Sequence, residues 1–181
     1  MCIRDSLEAV LGAARKLPDL GITHRRTGIS TVGWAPGIRK LTESDMPIRL
    51  ALSLHAPEDA LRSKIMAVNE RYSIAEVLEA CEAHYERRRR KVFVEYVMLA
   101  GVNDGYGQAV RLAQLLDPRK FKLNLIPYNP TGSIYDGSSR AAIGAFKAAL
   151  EEHGLRATVR LTRGRDIDAA CGQLAAKVLA A

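Results

Sequence analysis

Cys171 is the side chain of this sequence best suited to covalent chemistry, because a cysteine thiolate is a strong nucleophile. It follows Arg163 and Arg165, and it stands in the predicted first turns of a helix that Asp166 or Asp168 can cap. A helix N-terminus and neighbouring guanidinium groups both favour the thiolate over the thiol. These neighbours make Cys171 a candidate for a reactive thiolate, but local chemistry alone favours a small buried core cysteine, because a free cysteine usually packs as a small hydrophobic residue.

Polar side chains recur at the ends of predicted strands. Ser30 ends the first strand, and Ser53 and His55 follow the second. Asn129 follows the fourth. In parallel α/β folds the chemistry gathers at the carboxyl ends of the strands, so these groups predict a shared ligand rim. A single polar cluster of this kind could be explained by turn formation. Considered without the others, His55 would be interpreted as a hydrogen-bonded structural histidine.

The elements that must position these residues alternate between strand and helix. Segments rich in apolar residues predict five strands, over 27–32, 48–54, 92–99, 121–126 and 157–161. Apolar residues that recur every 3.6 positions predict five helices. These lie over 7–17, around Ile38 and Leu41, from Ile74 to about Tyr85, over 109–116 and from Ser138 or Ser139 to His153. Such alternation predicts an α/β fold with a parallel sheet covered by helices. Cys81 falls on the apolar stripe of its helix, which predicts a core residue.

Composition sets the broad class. The chain has 181 residues, 48% hydrophobic and 26% charged, which is typical of one globular domain. No apolar run reaches the roughly 18 residues of a membrane span, and no signal peptide is apparent. Three cysteines without a short-spaced pair favour a reducing compartment, so we expect a cytoplasmic protein. A net charge of +7 favours a polyanionic partner.

Several motifs in a fixed order resemble the RlmN/Cfr family of radical S-adenosylmethionine (SAM) RNA methyltransferases. They are Gly28-Ile-Ser-Thr-Val-Gly33, Ala51-Leu-Ser-Leu-His-Ala-Pro57, Val94-Glu-Tyr-Val-Met-Leu99, Asn124-Leu-Ile-Pro-Tyr-Asn-Pro130 and the segment from Arg163 to Leu174. The resemblance covers nearly the whole chain from about Leu7 and is closest to the RlmN branch. It implies the C-terminal half of a radical SAM partial (β/α) barrel.

The resemblance also implies roles for particular residues. Ser30, Ser53, Leu54, His55 and Asn129 match positions that contact SAM in the family. Cys171 matches the cysteine that is methylated and carries the methyl carbon to C2 of adenosine in 23S rRNA and tRNA. A second SAM, cleaved at a [4Fe-4S] cluster, supplies the radical in that family, with electrons from a reductant such as flavodoxin.

The chain also departs from the family. The cluster needs a Cys-x-x-x-Cys-x-x-Cys loop, and no such spacing occurs among Cys2, Cys81 and Cys171. Residues 1–6 do not fit the family, so we interpret them as a non-native leader and 7–181 as the C-terminal part of the catalytic domain. We expect this chain alone to be inactive.

Two alternatives to an RlmN-type function remain open at this stage. One is a Cfr-like enzyme that methylates C8 of adenine, and the other is a catalytically dead, basic half-barrel that binds RNA. The run from Arg87 to Lys91 bears on the second. It would either contact RNA phosphates or form a solvated helix end, and we favour the solvated helix end because its cations complement the helix dipole.

Overall fold

The computed structural model describes residues 7–129 and 134–160. Its centre is a parallel sheet of five strands in which the spatial order equals the chain order. The strands are β1 (Gly28–Thr31), β2 (Arg49–Ser53), β3 (Val92–Met98), β4 (Phe121–Pro127) and β5 (Ala157–Val159). The predicted α/β class is therefore confirmed, as are all five predicted strands to within a few residues at their ends.

One helix precedes the first strand, and the others connect each strand to the next. They are α1 (Leu7–Lys16), α2 (Ala35–Glu43), α3 (Asp59–Ile65), α4 (Ile74–Arg88), α5 (Tyr106–Leu115) and α6 (Arg140–Glu152). The hydroxyls of Ser73 and Ser139 accept backbone N–H groups at the starts of α4 and α6, which confirms the serine cap predicted for α6. Helix α3 was not predicted, because its seven residues are too few to show a period.

The strands bury alternate residues, so the two faces of the sheet differ. On β3 the side chains of Val92, Val94, Tyr96 and Met98 are fully buried, whereas the residues between them are only partly buried. The buried rows of β2 to β5 join one apolar core with α1, α2, α4, α5 and α6, and the partly buried Ile29 of β1 packs against that core. The helices therefore cover one face, and we call the other, partly exposed face the open face.

The basic run at the end of α4 is not the solvated helix end that the sequence favours. Arg88 is half-buried, and its guanidinium donates to the carbonyl oxygens of Leu41 (3.4 Å), Thr42 (3.2 Å) and Ser44. These carbonyls lie at the C-terminal end of α2, where a helix has no further amides of its own to bind them. The expectation of a solvated helix end is therefore wrong for Arg88, which binds the end of α2. It holds only for the exposed residues of the run, Arg87, Arg89 and Lys91.

Within the described ranges, no helix combines the length and apolar character needed to cross a membrane.

Candidate functional site

The carboxyl ends of the parallel strands bring the predicted rim residues to one edge of the sheet. Ser30 pairs in register with Ala51 of β2, and Ser53 pairs with Glu95 of β3. Because residues two apart on a strand share a face, Ser30 and Ser53 both lie on the open face. We call this edge, with the connections that follow the strands, the rim.

His55 links the end of β2 to β3. Its Nδ1 accepts the backbone N–H of Val97 at 3.1 Å, which fixes the neutral ring with its proton on Nε2. Burial, followed by the nearby Arg62 charge, lowers the pKa of His55 to about 4. At neutral pH this imidazole is therefore an uncharged donor, held in one tautomer.

The backbone of His55 is in the left-handed region, with φ of 61°, which is uncommon for a residue with a side chain. Asn103 holds it there, because its buried amide donates to His55 O at 2.9 Å and to Val97 O at 2.7 Å. The same side chain accepts the Leu99 N–H at 2.8 Å. A strained residue that is over-determined by its neighbours is a frequent feature of functional sites.

Arg62 fixes the ends of β1 and β2 relative to each other. This fully buried guanidinium donates to Val32 O at 2.6 Å, Ser53 O at 3.2 Å and Leu54 O at 3.1 Å. Its remaining nitrogen donates to Asn69 Oδ1 at 2.9 Å. A buried cation is tolerated only when its donors are satisfied, and here strand-end carbonyls satisfy them. Arg62 is thus the positioning residue of the rim.

Gly33 allows Arg62 to reach these carbonyls. Its φ is +101°, and a Cβ added there would lie 2.8 Å from Arg62 Nη2 and 3.3 Å from the methyl groups of Val77. A side chain at this position would have to displace the guanidinium or the core. The glycine of the first motif is therefore required by packing as well as by backbone conformation.

Leu54 and Asn129 occupy different environments within the rim. The Leu54 side chain is fully buried, its N–H donates to Glu95 O at 3.1 Å, and its carbonyl accepts from Arg62. Any contact between Leu54 and a ligand would have to come from its backbone. Asn129 Oδ1, in contrast, is buried and has no hydrogen-bond partner among the residues that the structure describes. An unpartnered buried oxygen is costly, and a ligand donor would satisfy it.

A polar row crosses the open face just below the rim. Register places Ser53, Glu95, Asn124 and Thr158 side by side on four neighbouring strands. The Asn124 amide donates to Glu95 Oε1 at 2.9 Å, and the Thr158 hydroxyl donates to Asn124 Oδ1. The row gives the open face fixed acceptors beside the rim.

The described residues do not fit an iron–sulfur cluster. They contain no group of three or more His, Cys, Asp or Glu side chains that could hold a metal ion. Cys81 is fully buried on α4, as predicted, and burial raises the pKa of its thiol to about 12. Cys81 is therefore inert. Cys171, the predicted methyl carrier, lies outside the described residues, as does Cys2.

Sequence reasoning missed the residues that hold the rim in place. Arg62 and Asn103 bind backbone oxygens at the strand ends, and Asn69 binds Arg62. No motif marked these residues. Asn103 did leave a signal in the turn sequence Gly101-Val-Asn-Asp-Gly105, where an asparagine beside glycines often bonds to nearby backbone. Arg62 left none, since an isolated arginine on a short helix is usually exposed.

Comparison with known proteins gives a consistent result. No family model matches the chain. Among curated proteins, a probable dual-specificity RNA methyltransferase RlmN of Frankia casuarinae is 47% identical over 93% of this chain and 42% of its own length. A Thermus thermophilus protein of the same description is 45% identical over 97% of this chain and 50% of its own length. The chain thus spans about half the length of the relatives it matches.

A solved structure agrees with these relatives. The crystal structure of a radical SAM methyltransferase from Sphaerobacter thermophilus superposes with a TM-score of 0.81 and 42% identity. The match covers 85% of this chain and 46% of that one. This chain is therefore similar to that protein both in its sequence and in the arrangement of its strands.

Proposed function

The chain belongs to the RlmN/Cfr family of radical SAM methyltransferases, and on that premise we propose that the whole protein methylates C2 of adenosine in 23S rRNA and tRNA. The observation that carries the proposal is the rim. Ser30 lies on β1, Ser53 and His55 lie at the end of β2, and Asn129 follows β4, so three strands of a fold shared with a radical SAM methyltransferase bring them to one edge of the sheet.

The rim suits SAM by its donor and acceptor set. SAM presents a carboxylate, an ammonium, two ribose hydroxyls and an adenine edge, and when bound it supplies the methyl group. Neutral His55 offers Nε2–H, the serine hydroxyls offer both functions, and the unpartnered Asn129 Oδ1 accepts. Arg62 and Asn103 keep the strand ends in register, so these groups require little reorganisation.

Cys171 is the proposed methyl carrier. C2 of adenine lies between two ring nitrogens and is not nucleophilic, so direct attack on a sulfonium methyl is closed to it. A carrier on the protein solves this problem, because the sulfur of Cys171 can accept the methyl group by displacement before the carbon is passed to RNA. The described residues hold no ligands for the cluster that the family uses, so we derive no step that depends on one.

The proposal includes partners and a location. RNA is the substrate, a reductant protein such as flavodoxin supplies electrons, and both are found in the cytoplasm. The net charge of +7 suits an RNA substrate.

A chimera tests the proposal directly. Residues 7–181 would replace the matching half of the Thermus thermophilus relative, and the purified protein would be incubated anaerobically with SAM, a reductant and rRNA or tRNA transcripts. Mass spectrometry of the digested RNA should find 2-methyladenosine. Finding 8-methyladenosine would favour the Cfr-like alternative, and the absence of both in a chimera that holds its cluster would contradict the proposal.

The carrier is tested in the same chimera by matched cysteine variants. Cys171→Ala should abolish RNA methylation and leave SAM binding intact, whereas Cys81→Ala should retain methylation. Peptide mass spectrometry should find an added methyl on the peptide with Cys171 and none on that with Cys81. Retained turnover in Cys171→Ala would overturn the carrier assignment.

The 181-residue chain alone should bind no cluster and methylate no RNA. Iron and sulfide analysis after anaerobic reconstitution measures this, and a stoichiometric cluster would contradict the expectation.

A further inference from the structure

The two ends of the sheet differ in charge. The connections that enter the strands contain these cations: Arg25, Arg26, Arg89, Arg90, Lys91, Arg119, Lys120 and Arg156. The connections that leave β1 to β4 at the rim contain no Lys or Arg in their described parts, and Arg160 alone follows β5 there. Arginine and lysine are therefore concentrated at the amino ends of the strands. We call this end of the sheet the basic edge.

Part of the basic edge is neutralised within the protein. Arg119 pairs with Asp117 at 2.8 Å, and Lys120 pairs with Glu82 at 2.7 Å. Arg89 pairs with Glu86 at 2.6 Å. These are surface ion pairs of ordinary kind, and they leave little attraction for a further anion.

The basic edge also holds cations outside these ion pairs, and three of them, Arg25, Arg90 and the first residue of β2, Arg49, are neighbours. Arg90 Nη1 donates to the backbone oxygen of Arg25 at 3.2 Å, and Arg49 pairs in register with Gly28, three residues after Arg25. No ion pair joins any of the three to a carboxylate of the described residues. We call them the arginine triad.

The positive charges of the triad act on one another at Arg90. Burial, followed by the charges of Arg49 and Arg25, lowers the pKa of its guanidinium. Like charges held together without a counter-charge favour binding of an anion. Guanidinium groups are donors suited to phosphate oxygens, because their planar fork matches two of them.

We propose that the arginine triad binds the phosphodiester backbone of the substrate RNA, as a contact separate from the rim. The inference rests on the proposed RNA methyltransferase function and deepens it. The seven residues of β3 span roughly 23 Å, so the two ends of the sheet lie close enough for one folded RNA to contact both.

RNA binding by the 181-residue chain tests this without any methylation step. Fluorescence anisotropy of a labelled RNA stem-loop would be measured over a range of salt concentrations. Arg25→Gln/Arg49→Gln/Arg90→Gln should weaken binding at least tenfold, and it should reduce the slope of log K against log salt by about 2–3, as expected for the loss of three phosphate contacts.

The control removes three cations from other surfaces. Arg39→Gln/Arg111→Gln/Lys147→Gln lowers the net charge of +7 by the same amount, at positions that pair with carboxylates. It should weaken binding less than about threefold, because these cations are already neutralised. Equal losses in the two variants, or no loss in the triad variant, would overturn the proposal and leave the methylation assay unaffected.

The double variant Arg25→Gln/Arg49→Gln guards against a folding defect in the triple variant. It keeps Arg90 and the hydrogen bond from Arg90 to the backbone oxygen of Arg25. Circular dichroism should match that of the unchanged chain, and binding should still fall severalfold. An acidic peptide that competes as well as the RNA would also contradict the assignment to a phosphodiester.

Discussion

Arginine is used in opposite ways at the two ends of this sheet. At the rim, Arg62 is fully buried, and backbone carbonyls and one amide occupy its donors. At the basic edge, Arg49 is exposed and has no acidic partner in the part of the chain that the structure describes. The buried arginine shapes a site and the exposed one presents charge. Residue type alone therefore does not predict function, and burial together with hydrogen-bond partners does.

The largest expected effect comes from removing the buried arginine. Arg62→Ala would leave the carbonyls of Val32, Ser53 and Leu54 without their donor, so we expect a loss of about 3–5 kcal/mol in the free energy of unfolding. Arg49→Ala, its exposed counterpart, should change it by less than about 0.5 kcal/mol. Urea unfolding of both variants measures the difference, and equal losses would break the comparison between the two ends.

The next effect separates backbone strain from steric overlap at the rim. Gly33→Ala should cost about 2–4 kcal/mol, because it combines a φ of +101° with a Cβ that meets Arg62 and Val77. Gly21→Ala is the matched control, with a φ of +73° and open space around the added Cβ, and it should cost about 1 kcal/mol. Thermal unfolding measures both. Equal costs would show that Arg62 tolerates displacement.

The pH dependence of stability sharpens the comparison through His55. Its pKa in the folded protein, about 4, lies below the ordinary value of 6.5, so protons bind more readily to the unfolded chain. Its contribution is present above pH 6.5 and is lost as the pH falls towards 4. The free energy of unfolding should fall when the pH is lowered from about 7.5 to about 4.5. In His55→Gln that decrease should be smaller than in the unchanged chain by on the order of 2 kcal/mol.

His84 provides the comparison for that measurement. It lies buried on α4, and burial also lowers its pKa to about 4, while its Nδ1 lies 2.9 Å from the Thr42 hydroxyl. His84→Gln should therefore also weaken the dependence of the free energy of unfolding on pH in this range. It should leave the binding of S-adenosylhomocysteine unchanged. His55→Gln should weaken that binding. A variant of His55 that binds as tightly as the unchanged chain would contradict its place in the rim.

The smallest effect concerns Cys81, which belongs to neither end of the sheet. Cys81→Ala removes one buried sulfur and should cost about 1 kcal/mol. Under native conditions iodoacetamide should not label this thiol, because its pKa is raised to about 12. Peptide mass spectrometry after alkylation checks this, and rapid labelling would show that α4 opens more readily than its packing indicates.

The sequence predicts the strands well because their signal is local. Each of the five strands contains apolar residues within a short segment, and polar residues at the ends of β1, β2 and β4 fall where the rim residues lie. The contacts of Arg62 and Asn103 with the strand ends could not be predicted, because several of them join residues far apart in the chain. Arg62 and Val32 are thirty positions apart, and His55 and Asn103 are forty-eight. Such pairings arise only once the sheet has formed.

The order of the strands has a consequence for synthesis on the ribosome. Each strand from β2 to β5 pairs with the strand that precedes it in the chain. A nascent chain can therefore add one strand and its helix at a time, and no unit has to wait for a later one to fill a gap in the sheet. Translation that proceeds from the N-terminus matches the direction in which this sheet can grow, and a pause after α4, α5 or α6 leaves a shorter sheet whose strands are already paired.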